Sequence, residues 1–388
     1  MFTYLENLIS TRLKSLGWDA DQLQLSRPNS IENGDWSTNI AMILARDLKR
    51  APSQIAQELM TGLEYDSNVV EKIEIVNPGF INFFQSATHL TAQLQNILDK
   101  KDDYGKNEEG KGKTAQVEFV SANPTGPLTV GHGRQTVLGD TIASILTWSG
   151  YDVTREYYFN NAGRQMRLLG ESLKARYFEL KGIPSLLPDG GYEGKYLIAV
   201  AEELLSKSPN LDMDTDVALF KDFAEQSIFS IIKSSLERIN VSHDVFYNER
   251  SLYETGKIDE VLAILRKKDL IYEKDGATWF KTSELGIEQD RVLVKSSGEP
   301  TYRLPDIAYH REKVARGFDL VIDVFGADHI DAYPDVLSAL KVMGLKNEHI
   351  HVVIHQFVTL LRSGEVVKMS TRKANFVTLD ELIDEVGA

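Results

Sequence analysis

The chain has 388 residues, 42% of them hydrophobic, with 43 Lys plus Arg against 57 Asp plus Glu, a formal net charge of −14 and no cysteine. That length predicts two or three domains with apolar cores of their own, and the lack of cysteine excludes disulfides and thiolate zinc sites. The acidic balance argues against bulk, nonspecific nucleic-acid binding, although a local basic stripe suffices for a specific nucleic-acid partner. No apolar run approaches a membrane span, and residues 1–10 carry no basic stretch ahead of an apolar core. The expectation is therefore a cytoplasmic protein without a membrane partner. The eight histidines show no ligand spacing such as HExxH, so no metal centre is expected.

Residues 1–100 read as a small α/β unit. Apolar residues at helical spacing predict helices over 4–16, 38–48, 52–63 and 87–98. Residues 70–76 read as a strand closed by the turn signal Asn77-Pro78-Gly79, and 80–84 has strand composition. Residues 101–113 are charged, glycine-bearing and almost free of apolar side chains, the best linker candidate in the chain.

From 114 onward the chain predicts a parallel α/β fold. Residues 114–120 form a β-rich strand, and Val137, Leu138, Ile142, Ile145 and Leu146 then recur at helical spacing until Gly150. Between them lies Glu118-Phe119-Val120-Ser121-Ala122-Asn123-Pro124-Thr125-Gly126-Pro127-Leu128-Thr129-Val130-Gly131-His132-Gly133-Arg134. A strand, a Pro- and Gly-rich loop and a helix in that order present free backbone N–H groups and a positive helix end to an anion. Gly131 and Gly133 allow close approach beside the His132 imidazole. Taken alone, Gly-His-Gly reads equally as a tight turn with a structural histidine.

Further on, 153–159 is a strand, and Asn160-Asn161-Ala162-Gly163 starts a helix to about 181. Residues 183–280, with a loop at Pro184–Gly191, helices over 197–206 and 217–239 and a strand at 241–247, read as an insertion. Short strands follow at 278–280 and 291–295. Pro305, in the first turn of a helix, sets Asp306 and Tyr309 one turn apart. Residues 320–325 form an apolar run fit for a central parallel strand, leading to Asp328 and His329. A helix over 334–343, a strand over 352–361 and a helix over 379–386 complete the pattern.

The string SANPTGPLTVGHGR resembles the HIGH segment of the class I aminoacyl-tRNA synthetases in its arginyl-tRNA synthetase form. Val367-Lys368-Met369-Ser370-Thr371-Arg372-Lys373 resembles the mobile KMSKS loop of the same family, in the right order and at about the right separation. The resemblance covers essentially the whole chain. It implies a Rossmann-like class I catalytic domain over 114–388 with a connective insertion at about 183–280, a linker at 101–113, and a small N-terminal additional domain over 1–100.

The activity it implies is ATP-dependent formation of arginyl-adenylate, with Mg2+ brought in on ATP, followed by transfer of arginine to tRNA, in a monomer. By resemblance, His132 and Lys368 are catalytic. Thr129, Gly131, His132, Gly133, Lys368, Met369, Ser370 and Arg372 hold ATP. Glu118, Ser121, Asn123, Tyr302 and Asp306 form the arginine pocket, and Asn77, Phe80 and Asn82 cradle a base of the tRNA elbow. Thr129 stands where the family usually has the first His of HIGH, and Thr371 where the second Lys of KMSKS would be. Family members continue into a helical anticodon-binding domain, to which nothing in this sequence corresponds. Two competing readings are another HIGH-type nucleotidyltransferase and a synthetase-like fragment that binds tRNA without activating arginine. The former lacks a reason to carry Tyr302 and Asp306 four residues apart.

Overall fold

The computed structural model describes residues 1–362, 365–366 and 376–388. The chain divides into two compact units, Met1–Gly105 and Lys106–Ala388.

In the first unit, helices α1 (Phe2–Ser15), α2 (Ile40–Leu48), α3 (Pro52–Met60) and α4 (Ala87–Lys100) accompany strands β1 (Trp36–Thr38), β2 (Val70–Val76) and β3 (Phe80–Gln85). The strands form an antiparallel sheet in the order β1-β3-β2. Its core joins Leu5, Ile9 and Leu13 of α1 to Ile40 and Leu44 of α2, Ile55 and Leu59 of α3, and Ile81 and Phe83 of β3. The Arg12 guanidinium spans two helices by donating to the carbonyls of Leu59 and Thr61 at the end of α3, at 3.2 and 2.6 Å. The helix expected over 38–48 starts only at Ile40. The preceding residues are drawn into the sheet instead, with Trp36 opposite Phe83 and Thr38 opposite Ile81.

The second unit is built on a five-stranded parallel sheet of β4 (Thr114–Glu118), β5 (Asp152–Phe159), β6 (Val245–Asn248), β10 (Leu320–Gly326) and β11 (Ile350–His355), in the order β11-β10-β4-β5-β6. Helix α5 (Val130–Trp148) crosses from β4 to β5. Helices α6 (Gly163–Leu180), α7 (Lys195–Lys207) and α8 (Val217–Glu237) lie between β5 and β6. Then come α9 (Arg250–Glu254), α10 (Lys257–Lys267), an antiparallel three-stranded sheet of β7 (Ile271–Lys274), β8 (Ala277–Phe280) and β9 (Arg291–Val294), and α11 (Arg303–Arg316). Helix α12 (Tyr333–Met343) crosses from β10 to β11. A short hairpin of β12 (Leu361–Arg362) and β13 (Glu365–Val366) precedes α13 (Leu379–Val386).

Apolar side chains leave the parallel sheet on both faces, as a buried parallel sheet requires. Val117, Tyr157 and Val324 pack with α6, α7 and α8 on one side, while Tyr158 and Tyr247 pack with α10, α11 and α12 on the other. Strand β6 shows that the stretch expected as an insertion contributes to the main sheet, with Glu156 opposite Val245 and Phe159 opposite Asn248. Residues 107–113 dock on this unit: the Asn107 and Gly110 N–H groups donate to the Trp148 and Ser149 carbonyls at 3.3 and 2.8 Å. Among the described residues no helix is long and apolar enough to cross a membrane.

Strands β4 and β10 are neighbours in the sheet, yet the chain leaves β4 toward β5 on one side and β10 toward β11 on the other. This is the switch point at which open α/β sheets hold ligands beyond the carboxyl ends of their strands.

Candidate active site

A cavity of about 500 Å³ opens at that switch point. Its lining includes Glu118, Ser121, Asn123, Thr129, Gly131, His132, Tyr302 and Asp306, so one space gathers residues that the sequence places far apart.

Strand β4 ends at Glu118, and the chain then turns through two left-handed residues, Val120 (φ 69°) and Ser121 (φ 43°). Such a conformation is costly for a β-branched valine and persists only where its surroundings hold it. Here the Ser121 hydroxyl donates to Glu118 Oε1 at 2.9 Å and accepts from the Tyr158 N–H at 3.1 Å. Asn123 Oδ1 accepts from the Asn160 N–H at 3.0 Å, tying the loop to the end of β5.

Helix α5 begins at Val130, so Gly131, His132 and Gly133 form its first turn rather than a preceding loop. Thr129 is its N-cap. The Thr129 N–H donates to His132 Nδ1 at 3.0 Å, which puts the ring's proton on Nε2. Burial, aided by the nearby His355, lowers the His132 pKa to about 4, so the ring is a neutral donor at pH 7. Gly131 lies beside it on the cavity wall. Gly133 does not join them: a Cβ there would lie 2.9 Å from Leu379 Cδ1, so this glycine serves the contact with α13.

The opposite wall comes from the first turns of α11. Asp306 is partly buried and has no hydrogen bond or ion pair to its carboxylate among the described residues, and its pKa is raised to about 7. Burial is the main cause; the charges of Glu249 and Glu118 add to it, while His310 and Lys313 oppose it. Tyr302, more than half exposed, stands one turn before it. Among the lining residues not assigned to a site from the sequence are Glu249 and Tyr309. Glu249, only 8% exposed, accepts from the Tyr158 hydroxyl at 2.6 Å and the Asn160 side-chain amide at 2.7 Å. Burial raises its pKa too. Tyr309, tilted against Tyr158 with ring centroids 4.3 Å apart, donates its hydroxyl to Glu156 at 2.5 Å and so presents only its ring to the cavity. The lone signal for Glu249 was a carboxylate just after a strand, which is too common to single out.

Glu118 lines the cavity but is not free. One carboxylate oxygen takes the Ser121 hydroxyl and the other pairs with the fully buried Lys313. Phe325, Gly326, Asp328, His329 and His355 complete the end near His132. Lys368, Met369, Ser370 and Arg372 lie outside the described residues.

In the first unit, Asn77 and Phe80 are exposed at the turn between β2 and β3. Asn82 is 3% exposed and accepts from the Ser37 hydroxyl at 2.7 Å. In β3 it shares the face of Phe80, opposite to the one on which Ile81 and Phe83 enter the core.

Comparison with known proteins gives two family matches. Residues 93–387 match the model described as tRNA synthetases class I (R), catalytic domain, and residues 3–85 the model described as arginyl tRNA synthetase N terminal domain. The arginine--tRNA ligase of Chlorobium limicola is 50% identical over 395 residues, covering all of this chain and 72% of the relative. That of Desulfotalea psychrophila is 51% identical over 369 residues, covering 95% of this chain and 67% of the relative. Among solved structures, the arginyl-tRNA synthetase of Thermus thermophilus shares the fold, with a TM-score of 0.72 at 24% identity over 98% of this chain and 68% of that one. A synthetase-type sheet with its ligand crevice at the switch point, a neutral histidine at the start of α5, carboxylates across from it and two matches at about half identity agree: the chain belongs to the class I arginyl-tRNA synthetase family.

Proposed function

We propose that this chain activates arginine with ATP and passes it to a tRNA, and that the cavity between α5 and α11 is where arginine and the α-phosphate meet. The observation that carries the reading is the pair Asp306 and Glu249. Both carboxylates face one cavity, neither has an ion-pair partner among the described residues, and the Tyr309 ring lies beside them. A guanidinium is planar, always charged and rich in donors, and matches two carboxylates and an aromatic face better than an ammonium does.

Attack by the arginine carboxylate on the α-phosphorus, which breaks the bond to the β-phosphate and expels pyrophosphate, needs no strong base, because a carboxylate is already ionised. It needs donors placed where phosphate charge accumulates. The His132 Nε2–H and the free N–H groups of the first turn of α5 suit that task. Thr129 fits as the cap that fixes the His132 ring rather than as a second imidazole. ATP enters as its magnesium complex, with the metal held largely by phosphate oxygens and water. By their resemblance to the family motif, Lys368 and Arg372 supply cations to the triphosphate. Asn77 and Phe80, exposed together, offer a stacking face and an amide to a tRNA base. The protein acts as a monomer.

ATP–pyrophosphate exchange, run with each amino acid in the presence and absence of tRNA, tests this reading. Exchange with arginine alone among the amino acids is the expected result. Exchange with a different acid, or tRNA binding without any exchange, would transfer the assignment to one of the competing readings. Asp306→Asn sharpens the test: arginine affinity should fall by about 10- to 100-fold, the worth of one charge-assisted hydrogen bond, with ATP affinity nearly unchanged.

A further inference from the structure

Lys313 is fully buried on α11, two turns beyond Asp306, and does not line the cavity. Its ammonium is paired with two carboxylates from two strands, Glu118 of β4 and Asp323 of β10, which are themselves 2% and 0% exposed. Burial alone would strip its proton, but the two anions raise its pKa despite that burial, so it is a cation.

What the two carboxylates do with their remaining oxygens is informative. Glu118 Oε1 receives the Ser121 hydroxyl at 2.9 Å, inside the left-handed turn that delivers Asn123 to the cavity. Asp323 Oδ2 lies 3.1 Å from His310 Nε2, and His310 Nδ1 lies 2.8 Å from the backbone carbonyl of Asp306. One ammonium therefore anchors both walls, the 120–123 turn through Glu118 and the Asp306 turn of α11 through Asp323 and His310. It also sits 4.4 Å from the centre of the Tyr309 ring, the aromatic part of the lining.

We infer that Lys313 is a positioning residue for arginine recognition: it holds the two walls of the cavity in register and keeps Glu118 occupied, so that Asp306 and Glu249 alone meet the guanidinium. The inference rests on the arginine reading above. Of the four carboxylates Glu118, Asp323, Asp306 and Glu249, the built-in ammonium satisfies the first two, which leaves the last two on the cavity wall for one planar partner.

The test is calorimetric, on the full chain, with arginine and ATP titrated separately. Lys313→Met keeps the length of the side chain and removes its charge. Arginine affinity should fall on the order of 100-fold, the usual cost of an ångström-scale misplacement, while ATP affinity stays within about threefold of the starting value. Lys313→Arg keeps the charge on a wider head that displaces both carboxylates. It should lose arginine affinity to a lesser extent, again sparing ATP. A folded variant that binds arginine as well as the parent chain, or loses arginine and ATP together, overturns the inference.

Should neither variant fold, [15N]lysine-labelled parent protein decides. One lysine ammonium should show a signal protected from solvent exchange, and that signal should persist when arginine saturates the site. Its loss on adding arginine would mean that Glu118 leaves Lys313 for the substrate. A parent chain that binds no arginine at all would instead sink the arginine reading itself.

Discussion

Asp306 is the residue on which the site's behaviour turns. Its carboxyl sits near pKa 7 in the free protein because burial and the charges of Glu249 and Glu118 outweigh the pull of His310 and Lys313. Only the ionised form pairs with a guanidinium. The raised pKa therefore works against binding as pH falls through 7, and arginine binding releases a proton below that point. Arginine affinity should be nearly flat above pH 8 and about tenfold weaker at pH 6, read by titration at several pH values. In Asp306→Asn most of that slope should vanish. A profile unchanged by the substitution would assign the titration to Glu249. At this scale the sequence was only partly legible. Tyr302 and Asp306 were visible through their resemblance to the family's arginine pocket, and His132 through the HIGH-like string around it, since Gly-His-Gly alone reads equally as a tight turn. Glu249 and Lys313 were not, since their partners come from other strands and no local pattern marks them.

At the level of elements, most helices and strands could be read from apolar spacing, and the misreadings have physical causes. Trp36–Thr38 is too short for a periodic signal and becomes a strand only because β3 pairs with it. Val245–Asn248 looked like part of an insertion because the helices before it are long, yet its pairing with β5 makes it a sheet edge. The start of α5 was set late, because glycines read as loop when in fact Gly133 allows the close contact with Leu379. Gly139 is a second such position on that helix: a Cβ there would fall 2.2 Å from Phe119 Cγ, in the core just beneath the left-handed turn. An alanine in a helix normally gains about 1 kcal/mol over glycine, but overpacking a filled core costs about 1–3 kcal/mol. Gly139→Ala should therefore lower stability, seen as a drop in the thermal midpoint. A raised midpoint would mean that Phe119 has room to move.

Across the whole molecule, the two units carry separate cores, one around Leu5, Ile9 and Phe83 and the other around the parallel sheet. The segment 107–113 was expected as part of a linker from its charge, and charge says nothing about backbone hydrogen bonds. Its amides bond to the end of α5, and Gly110 rests against the Tyr151 ring. A fragment of residues 106–388 should consequently unfold cooperatively and keep arginine and ATP affinity. One starting at 114 should melt several degrees lower, because the α5 end loses its cover. Equal midpoints for the two fragments would show that the docked segment adds nothing.

The unpaired carboxylates of the cavity also bear on how the protein meets a common denaturant. Guanidinium ion is the head group of arginine without its tail, and a space built around Asp306 and Glu249 will accept it. A species that binds only the native state raises its stability by mass action. Low millimolar guanidinium chloride should thus raise the thermal midpoint before higher concentrations lower it, while urea and sodium chloride at equal concentration should not. In Asp306→Asn the initial rise should disappear. Denaturation curves taken in guanidinium would then begin from a ligand-bound baseline, and the unfolding free energy they extrapolate would exceed the value obtained in urea.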